Sequence, residues 1–320
     1  VKRRFLRTFL ISLVLFSVLW TGIIYRTLSK ADSAIEEEDK DTLIDRLLDG
    51  TKDITFLVLG VDAKDVADSS GARSDTMMLC KVDRSTGDIS ILSIPRDTKA
   101  QLPGRVHEEK INHAHAYGGP EYSVMAVSEL LGIDLEYYVK VDYNIVREYV
   151  NILGGVEIDV PMDMQYTDLA ADPPLYIDLK QGYQTLDGDK ALQFLRFRKG
   201  YIDQDLGRIR AQQQFMKAAL EKTLRPANIV NIPKLMKSYY KNVDTNIPLD
   251  VIMKFALNAK RFDAERLQVA TLPGDGRYIG DVSYFVPDEE ESRMLIEKMF
   301  LDYRAVENIN DDIDEYNEAN

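Results

Sequence analysis

Three short apolar runs with charged residues at their ends, all within Phe56 to Thr98, constrain this chain more than any other stretch. Phe56 to Leu59 ends at Gly60-Val61-Asp62, and after a polar loop Arg73-Ser74-Asp75-Thr76 leads into Met77 to Val82. The turn Asp83 to Asp88, with Gly87 at its tip, then connects to Ile89 to Ile94, which stops at Pro95-Arg96-Asp97. Runs of this length bounded by Gly, Pro and Asp read as strands, and the short connection between the second and third reads as an antiparallel hairpin. The start of one strand and the end of the next then share an edge of the sheet, so Asp62, Arg73, Asp75, Arg96 and Asp97 are predicted to converge there. Carboxylates suit Mg²⁺, which takes one or two of them and shares its other positions between water and phosphate oxygens. Arginine forks grip phosphate bidentately. Ordinary loop-end ion pairs would explain any one of these charges, but less readily the whole set at this spacing.

With 320 residues, 45% of them hydrophobic, the chain can fill one large core with an appendage. A formal net charge of −13 argues against nucleic acid as a partner. The single cysteine, Cys80, excludes an intrachain disulfide and sits in an apolar strand as a small core residue. At the N-terminus Lys2, Arg3, Arg4 and Arg7 precede the uncharged run Phe9 to Tyr25. At ~1.5 Å per residue that run is a little short of a hydrocarbon core of roughly 30 Å, but Arg7 and Arg26 can snorkel. The run exceeds the usual signal-peptide core of ~7–15 residues, so a retained anchor is expected rather than cleavage after Ser29-Lys30-Ala31. Basic residues before it and Glu36, Glu37, Glu38 and Asp39 after it orient the bulk outward. The expected organisation is therefore a cytoplasmic tail at 1–8, a transmembrane signal anchor at 9–25 and a stalk helix at 26–50. An extracytoplasmic domain at 51–304 follows, then an acidic, unstructured tail at 305–320.

Within the domain, Gly118-Gly119-Pro120 is predicted to open a helix through Leu131, which Gly132 ends. Gln101 to His115 reads as an irregular loop, where His113 and His115 lack a third ligand nearby and do not make a zinc site. A strand at Tyr137 to Val141, a helix at Asn144 to Leu153 and a strand at Val156 to Val160 give the alternation of an α/β fold. The predicted class is a mixed central β-sheet covered by helices on both faces, preceded by the N-terminal transmembrane helix. Asp163 to Asp178, with Asp172-Pro173-Pro174, reads as a surface excursion, and Leu186 to Gln193 as a helix capped by Asp187. Helices near 229–241 and 249–261, strands at 267–272 and around 278–286 separated by the loop 273–276, and a helix from Asp288 to about Tyr303 complete the domain.

A second informative stretch is Phe194-Leu195-Arg196-Phe197-Arg198, followed by Asp205-Leu206-Gly207-Arg208 and Gln212. Two residues apart on a helix, Arg196 and Arg198 would diverge by about 200°. An extended segment is therefore predicted, with both guanidiniums on one side and Leu195 and Phe197 in the core. From Asp205 a helix is expected to about Leu224, burying Ile209, Met216 and Leu220 and setting Arg208 and Gln212 one turn apart.

In order and spacing these motifs resemble the LytR-CpsA-Psr family: Gly60-Val61-Asp62, Arg73-Ser74-Asp75-Thr76, Ser93 to Thr98, Lys110-Ile111-Asn112, Leu153-Gly154-Gly155-Val156, Leu186-Asp187-Gly188, Arg196-Phe197-Arg198 and Asp205 to Gln212. The resemblance runs from about Ile54 to Leu224. It implies a phosphotransferase outside the cell membrane that moves an anionic glycan from an undecaprenyl-pyrophosphate carrier to a peptidoglycan hydroxyl. Carried onto this sequence, it implies Mg²⁺ on Asp62 and Asp75 and pyrophosphate oxygens on Arg73, Arg96, Arg196, Arg198 and Arg208. Asp205 and Gln212 would orient those arginines or the lipid phosphate, and Asp97 or Asp75 would take the acceptor's proton. Two other readings use the same stretch: a polyprenyl-pyrophosphate phosphatase with water as acceptor, and a non-catalytic membrane-bound regulator of the cell envelope.

Overall fold

The computed structural model describes residues 53–61, 71–83, 86–169, 174–203, 205–229, 231–257 and 262–301. The tail expected at 1–8, the anchor at 9–25, the stalk at 26–50 and the acidic tail at 305–320 lie outside the described residues. Among the described residues no helix is long and apolar enough to cross a membrane. In chain order the first elements are β1 (Asp53–Val61), β2 (Ser74–Asp83), β3 (Ile89–Ser93), β4 (Lys99–Ala100), β5 (Glu109–Lys110), α1 (His113–Leu131), β6 (Tyr137–Val141) and α2 (Tyr143–Ile152). Next come β7 (Val156–Val160), β8 (Met164–Asp168), β9 (Leu175–Leu179), β10 (Gly182–Leu186), α3 (Gly188–Arg196), α4 (Asp205–Leu224), α5 (Pro226–Ile229) and α6 (Ile232–Asn242). The last are β11 (Asp244–Thr245), α7 (Leu249–Leu257), β12 (Leu267–Thr271), β13 (Gly274–Ile279), β14 (Val282–Pro287) and α8 (Glu289–Phe300).

The central sheet runs in the order β11-β6-β1-β2-β3-β12. β2 pairs antiparallel with both β1 and β3, while β6 lies parallel to β1 and β12 parallel to β3. The expected mixed sheet is thus present. On one face Leu57, Leu59, Met77 and Leu79 pack against Val124 and Val127 of α1 and Ile296, Met299 and Phe300 of α8. On the other, Met78, Cys80 and Ile91 meet Met216 and Leu220 of α4, and Ile54 and Val139 meet Val251 and Phe255 of α7. Cover on both faces explains why the central strands are nearly continuous apolar runs rather than alternating ones. Burial pushes the Cys80 thiol up to about 12, which keeps it protonated and inert in this core.

A second core stands beside the sheet. The opposite side of α4 contributes Ala211, Phe215 and Ala219, which pack with Val156, Ile158, Val160, Met164, Ile177, Leu179 and Phe194 from β7, β8, β9 and α3. Phe194 is fully buried there, worth on the order of 2–3 kcal/mol of transfer free energy. Asp187 caps α3, accepting from the Lys190 amide at 2.9 Å, and Asp142 caps α2 through the Ile145 amide at 2.9 Å. α1 is interrupted at Gly118 and Gly119, whose φ/ψ are non-helical, and restarts at Pro120, where a missing N–H costs nothing in a first turn.

Several segments differ from the sequence expectation. The excursion at 163–178 is the hairpin β8–β9, held because Met164, Ile177 and Leu179 alternate inward. β10 pairs with β7 in a second hairpin-like unit. The loop expected at 273–276 instead opens β13, which pairs with β14. The irregular segment 101–115 contains the short β4–β5 pair, and α1 already begins at His113.

Candidate functional site

At the start of β2 the pairing with β1 slips by one residue. Gly60 faces Thr76 but Val61 faces Ser74, so Asp75 is an extra residue without a partner on β1. A bulge of this kind bends the strand and re-aims a side chain. Asp75 and Thr76 both line a cavity as a result, where regular alternation would have sent one to each face. Gly60 is required beside it, because a Cβ there would stand 2.9 Å from the Thr76 Cβ.

The cavity, about 420 Å³, lies between the sheet and the second core. Val58, Met78, Val141, Val146, Leu175, Leu195, Phe215 and Met216 make its apolar wall. Asp75, Thr76, Arg196, Arg198, Lys199, Arg208 and Gln212 make its polar part. The gradient follows α4, whose first turns supply Arg208 and Gln212 and whose later turns supply Phe215 and Met216. The N-terminal end of a helix favours an anion. A larger cavity of about 790 Å³ lies near β4, the C-terminal end of α1 and α8, but Glu108, Glu129, Glu289 and Glu297 line it against only Lys99 and Arg293. That balance repels phosphate.

At the polar end Arg96 Nη1 donates to Asp75 Oδ1, and its Nε lies 3.8 Å from Asp205 Oδ1. Arg208 Nη2 approaches Asp205 Oδ1 at 2.7 Å and donates to the Asp75 carbonyl at 3.1 Å. Gln212 Nε2 donates to Thr76 Oγ1 at 3.0 Å. Burial works against the Arg96 charge, but Asp75, Asp205 and Asp97 more than offset it and raise its pKa. For Arg208 burial wins: its pKa is lowered, with Asp205 opposing and Arg96 adding to the shift. Gly207 lets the turn before α4 close on the helix, since a Cβ there would meet Tyr201 Cβ at 2.3 Å. Arg210 forks onto Asp203 at 2.6 and 2.9 Å across the same turn and is a solvated ion pair rather than part of the site.

The segment expected to be extended is helical through Arg196, and Phe197, which follows, has extended φ/ψ. The Asp187 cap and a basic residue in the last turn favour that helix over a strand. Both guanidiniums still reach the cavity, because the chain turns at Phe197 rather than continuing the helix. Leu195, expected in the core, is half-buried and lines the cavity beside them. Arg73 is exposed just before β2 and does not line the cavity. Asp97 also stands outside the lining, with its Oδ1 3.0 Å from Lys110 Nζ. Among the described residues neither Arg73 nor Arg198 has a carboxylate partner. Asp62 lies outside the described residues.

Sequence reading missed Asp142 and Tyr143 in the cavity wall, where the Arg196 guanidinium stands 4.6 Å from the Tyr143 ring centroid. It also missed Lys199, placed 4.6 Å from the Tyr166 ring centroid, and Asp168, which accepts from the Tyr166 hydroxyl at 3.1 Å. The one available signal was Asp142 before an apolar-periodic helix. A cap at a sheet's carboxyl end often edges a ligand crevice.

Fold and site together define a mixed α/β protein that can hold an anion at the end of an apolar cavity. The LytR_cpsA_psr family model matches residues 19–300. The chain belongs to the LytR-CpsA-Psr family. It is 29% identical over 315 residues to the polyisoprenyl-teichoic acid–peptidoglycan teichoic acid transferase TagV of Bacillus subtilis, across 95% of this chain and 80% of that protein. The crystal structure of B. subtilis TagV superposes with a TM-score of 0.66 at 30% identity, covering 79% of this chain and 98% of that one. A structure of TagT bound to LIIa-WTA superposes with a TM-score of 0.62 at 27% identity, covering 78% of this chain and 90% of that one.

Proposed function

We propose that this protein is a membrane-anchored phosphotransferase, moving an anionic glycan polymer from an undecaprenyl-pyrophosphate carrier to a peptidoglycan hydroxyl. The observation that carries the reading is a cavity with an apolar wall at one end and Arg196, Arg198, Arg208 and Gln212 at the other. Such a cavity matches an amphiphile whose head is an anion and whose tail is hydrocarbon. TagV and TagU, named as polyisoprenyl-teichoic acid–peptidoglycan teichoic acid transferases, point to the same donor and acceptor classes. Residues 9–25 would anchor the chain, with 1–8 in the cytoplasm and 51–304 outside the cell membrane.

In this reading the acceptor oxygen attacks the phosphorus that bears the glycan. The P–O bond to the second phosphate breaks, undecaprenyl phosphate leaves, and the acceptor's proton passes to a carboxylate. Arg196, Arg198 and Arg208 neutralise the leaving phosphate, and Arg96 and Arg73 bind the transferring one. Little covalent work is left to the protein, so positioning and charge stabilisation carry the rate. Asp75, in the cavity lining, and Asp97, held by Lys110, are the two candidate bases. Asp205 holds Arg96 and Arg208 at fixed angles, and Gln212 fixes Thr76 beside Asp75.

The donor set suits a hard cation such as Mg²⁺. Arg96 engages Asp75 Oδ1, and Asp75 Oδ2 makes no hydrogen bond or ion pair among the described residues. Mg²⁺ takes one or two carboxylates and completes its shell with water and phosphate oxygens. Mg²⁺ on Asp62 and Asp75 would neutralise charge on the pyrophosphate oxygens.

The test is to incubate the protein with a lipid-linked glycan, Mg²⁺ and peptidoglycan. A glycan joined to peptidoglycan through a phosphodiester is the expected product. Release of glycan phosphate into water without attachment would mean a pyrophosphatase. Binding without any turnover would mean a regulator.

A further inference from the structure

We propose that Arg105, Glu109, His113 and Tyr117 form the acceptor subsite, a surface that seats the sugar strand whose hydroxyl attacks the phosphate. The proposal rests on the transferase reading and adds where the second substrate binds. Displacement at phosphorus requires the attacking and leaving oxygens roughly in line. The carrier's tail would occupy the cavity, on the face of the sheet bearing Val58 and Met78. The attacking hydroxyl must then arrive from the other side. On that side α1 packs against the face bearing Leu57, Leu59 and Met77.

The beginning of α1 and the strand before it are tied directly to the reaction centre. The Asn112 amide donates to the Arg96 carbonyl at 3.2 Å and the Ile111 amide to the Thr98 carbonyl at 2.8 Å. His115 Nδ1 donates to the Ala72 carbonyl at 2.8 Å, next to Arg73.

The side chains that this framework presents suit a carbohydrate. The Tyr117 hydroxyl donates to Glu109 Oε2 at 2.6 Å, and His113 Nδ1 meets the same oxygen at 3.1 Å. The Arg105 guanidinium carbon lies 3.8 Å from the Tyr117 ring centroid, with its Nε 3.8 Å from Glu109 Oε1. Tyr117 remains 47% exposed. With Arg105 over one face, the half-exposed Tyr117 ring still presents apolar surface, and the carboxylate, imidazole and guanidinium fixed around it offer hydrogen bonds of both polarities, which sugar rings and hydroxyls require. Ion pairs at partly exposed positions such as these add little to stability. The network's mutual hydrogen bonds leave it pre-organised.

The test measures binding of a soluble peptidoglycan glycan fragment, and separately of undecaprenyl pyrophosphate in detergent, to the full chain and to Tyr117→Ala and Glu109→Gln. Thermal melts check that both variants fold. The expected result is a fragment Kd raised at least tenfold in each variant, with carrier affinity within twofold of the parent and, in the transfer assay, acceptor KM rising more than kcat falls. Fragment binding that is absent in the parent protein, or unchanged in both variants, overturns the subsite. Failure of the parent to transfer glycan at all, whatever the fragment binds, overturns the transferase reading instead.

Discussion

Two sets of arginines meet at the end of the sheet, and they differ in what already holds them. Arg96 and Arg208 are locked to Asp75 and Asp205 in a partly buried network. Arg73 and Arg198 carry no carboxylate partner among the described residues. The locked set is close to neutral by itself and cannot give much net charge to a ligand. What it can do is fix Asp75, Thr76 and the start of α4 in one arrangement. No described carboxylate offsets the charge of the second set, and in the proposed function these two arginines exchange water for phosphate oxygens. In the proposed function, charge balance and ligand capture are divided between residues of one type.

The comparison breaks most visibly at Arg208. Its side chain is 9% exposed, and Arg208→Ala leaves the partly exposed Asp205 with Arg96 Nε at 3.8 Å as its remaining ion-pair partner among the described residues. Losing the nearer partner of this partly buried pair should lower Tm measurably as activity disappears. Arg198→Ala should leave Tm unchanged and lose activity alone. Equal melting of the two variants in calorimetry would erase the distinction. Next in size is Asp75→Asn, expected to reduce turnover on the order of 10²–10³-fold and to weaken Mg²⁺ binding with it. Titrating activity against Mg²⁺ checks this, and an unchanged metal midpoint would make Asp75 a base or a scaffold instead.

Arg198→Lys keeps the charge and loses the fork. On a scale of about 1.5–3 kcal/mol for a charge-assisted hydrogen bond, transfer should fall roughly tenfold to a hundredfold. Near-native rates for this variant would return Arg198 to the ordinary surface. The smallest effect concerns His115, which anchors the backbone beside Arg73. Burial lowers its pKa, and with Nδ1 donating to Ala72 its buried Nε2 has no partner among the described residues. Protonation would place an unsatisfied donor there. The unfolded chain therefore takes up a proton that the folded one resists, and stability should fall as pH drops below the ordinary histidine value of about 6.5. Thermal melts between pH 7.5 and about 5 should show a shallower decline in His115→Gln than in the parent.

Much of this arrangement was legible from residue order. The runs at 56–59, 77–82 and 89–94 and their turn chemistry located β1 to β3 and put Asp75, Arg96 and Asp97 at one edge. Asp205 and the periodicity after it located α4 to its last residue. The bulge was not legible, because a one-residue slip in β2 is defined by its partner strand and leaves no mark in local composition. Nor was the hairpin β8–β9, since Asp172-Pro173-Pro174 divides an apolar alternation that looks too weak for a strand on either side. Arg196 and Arg198 were read as neighbours through a strand. They are neighbours because a helix ends between them. The cavity wall from Tyr143, Tyr166 and Lys199 depends on packing between distant segments and could not be read from any one of them.

α4 belongs to both hydrophobic cores, giving Met216 and Leu220 to the sheet and Ala211, Phe215 and Ala219 to the hairpin side. Loss of that helix would open both cores at once, so α4 couples them. The amides of α4 are therefore where hydrogen exchange should be slowest.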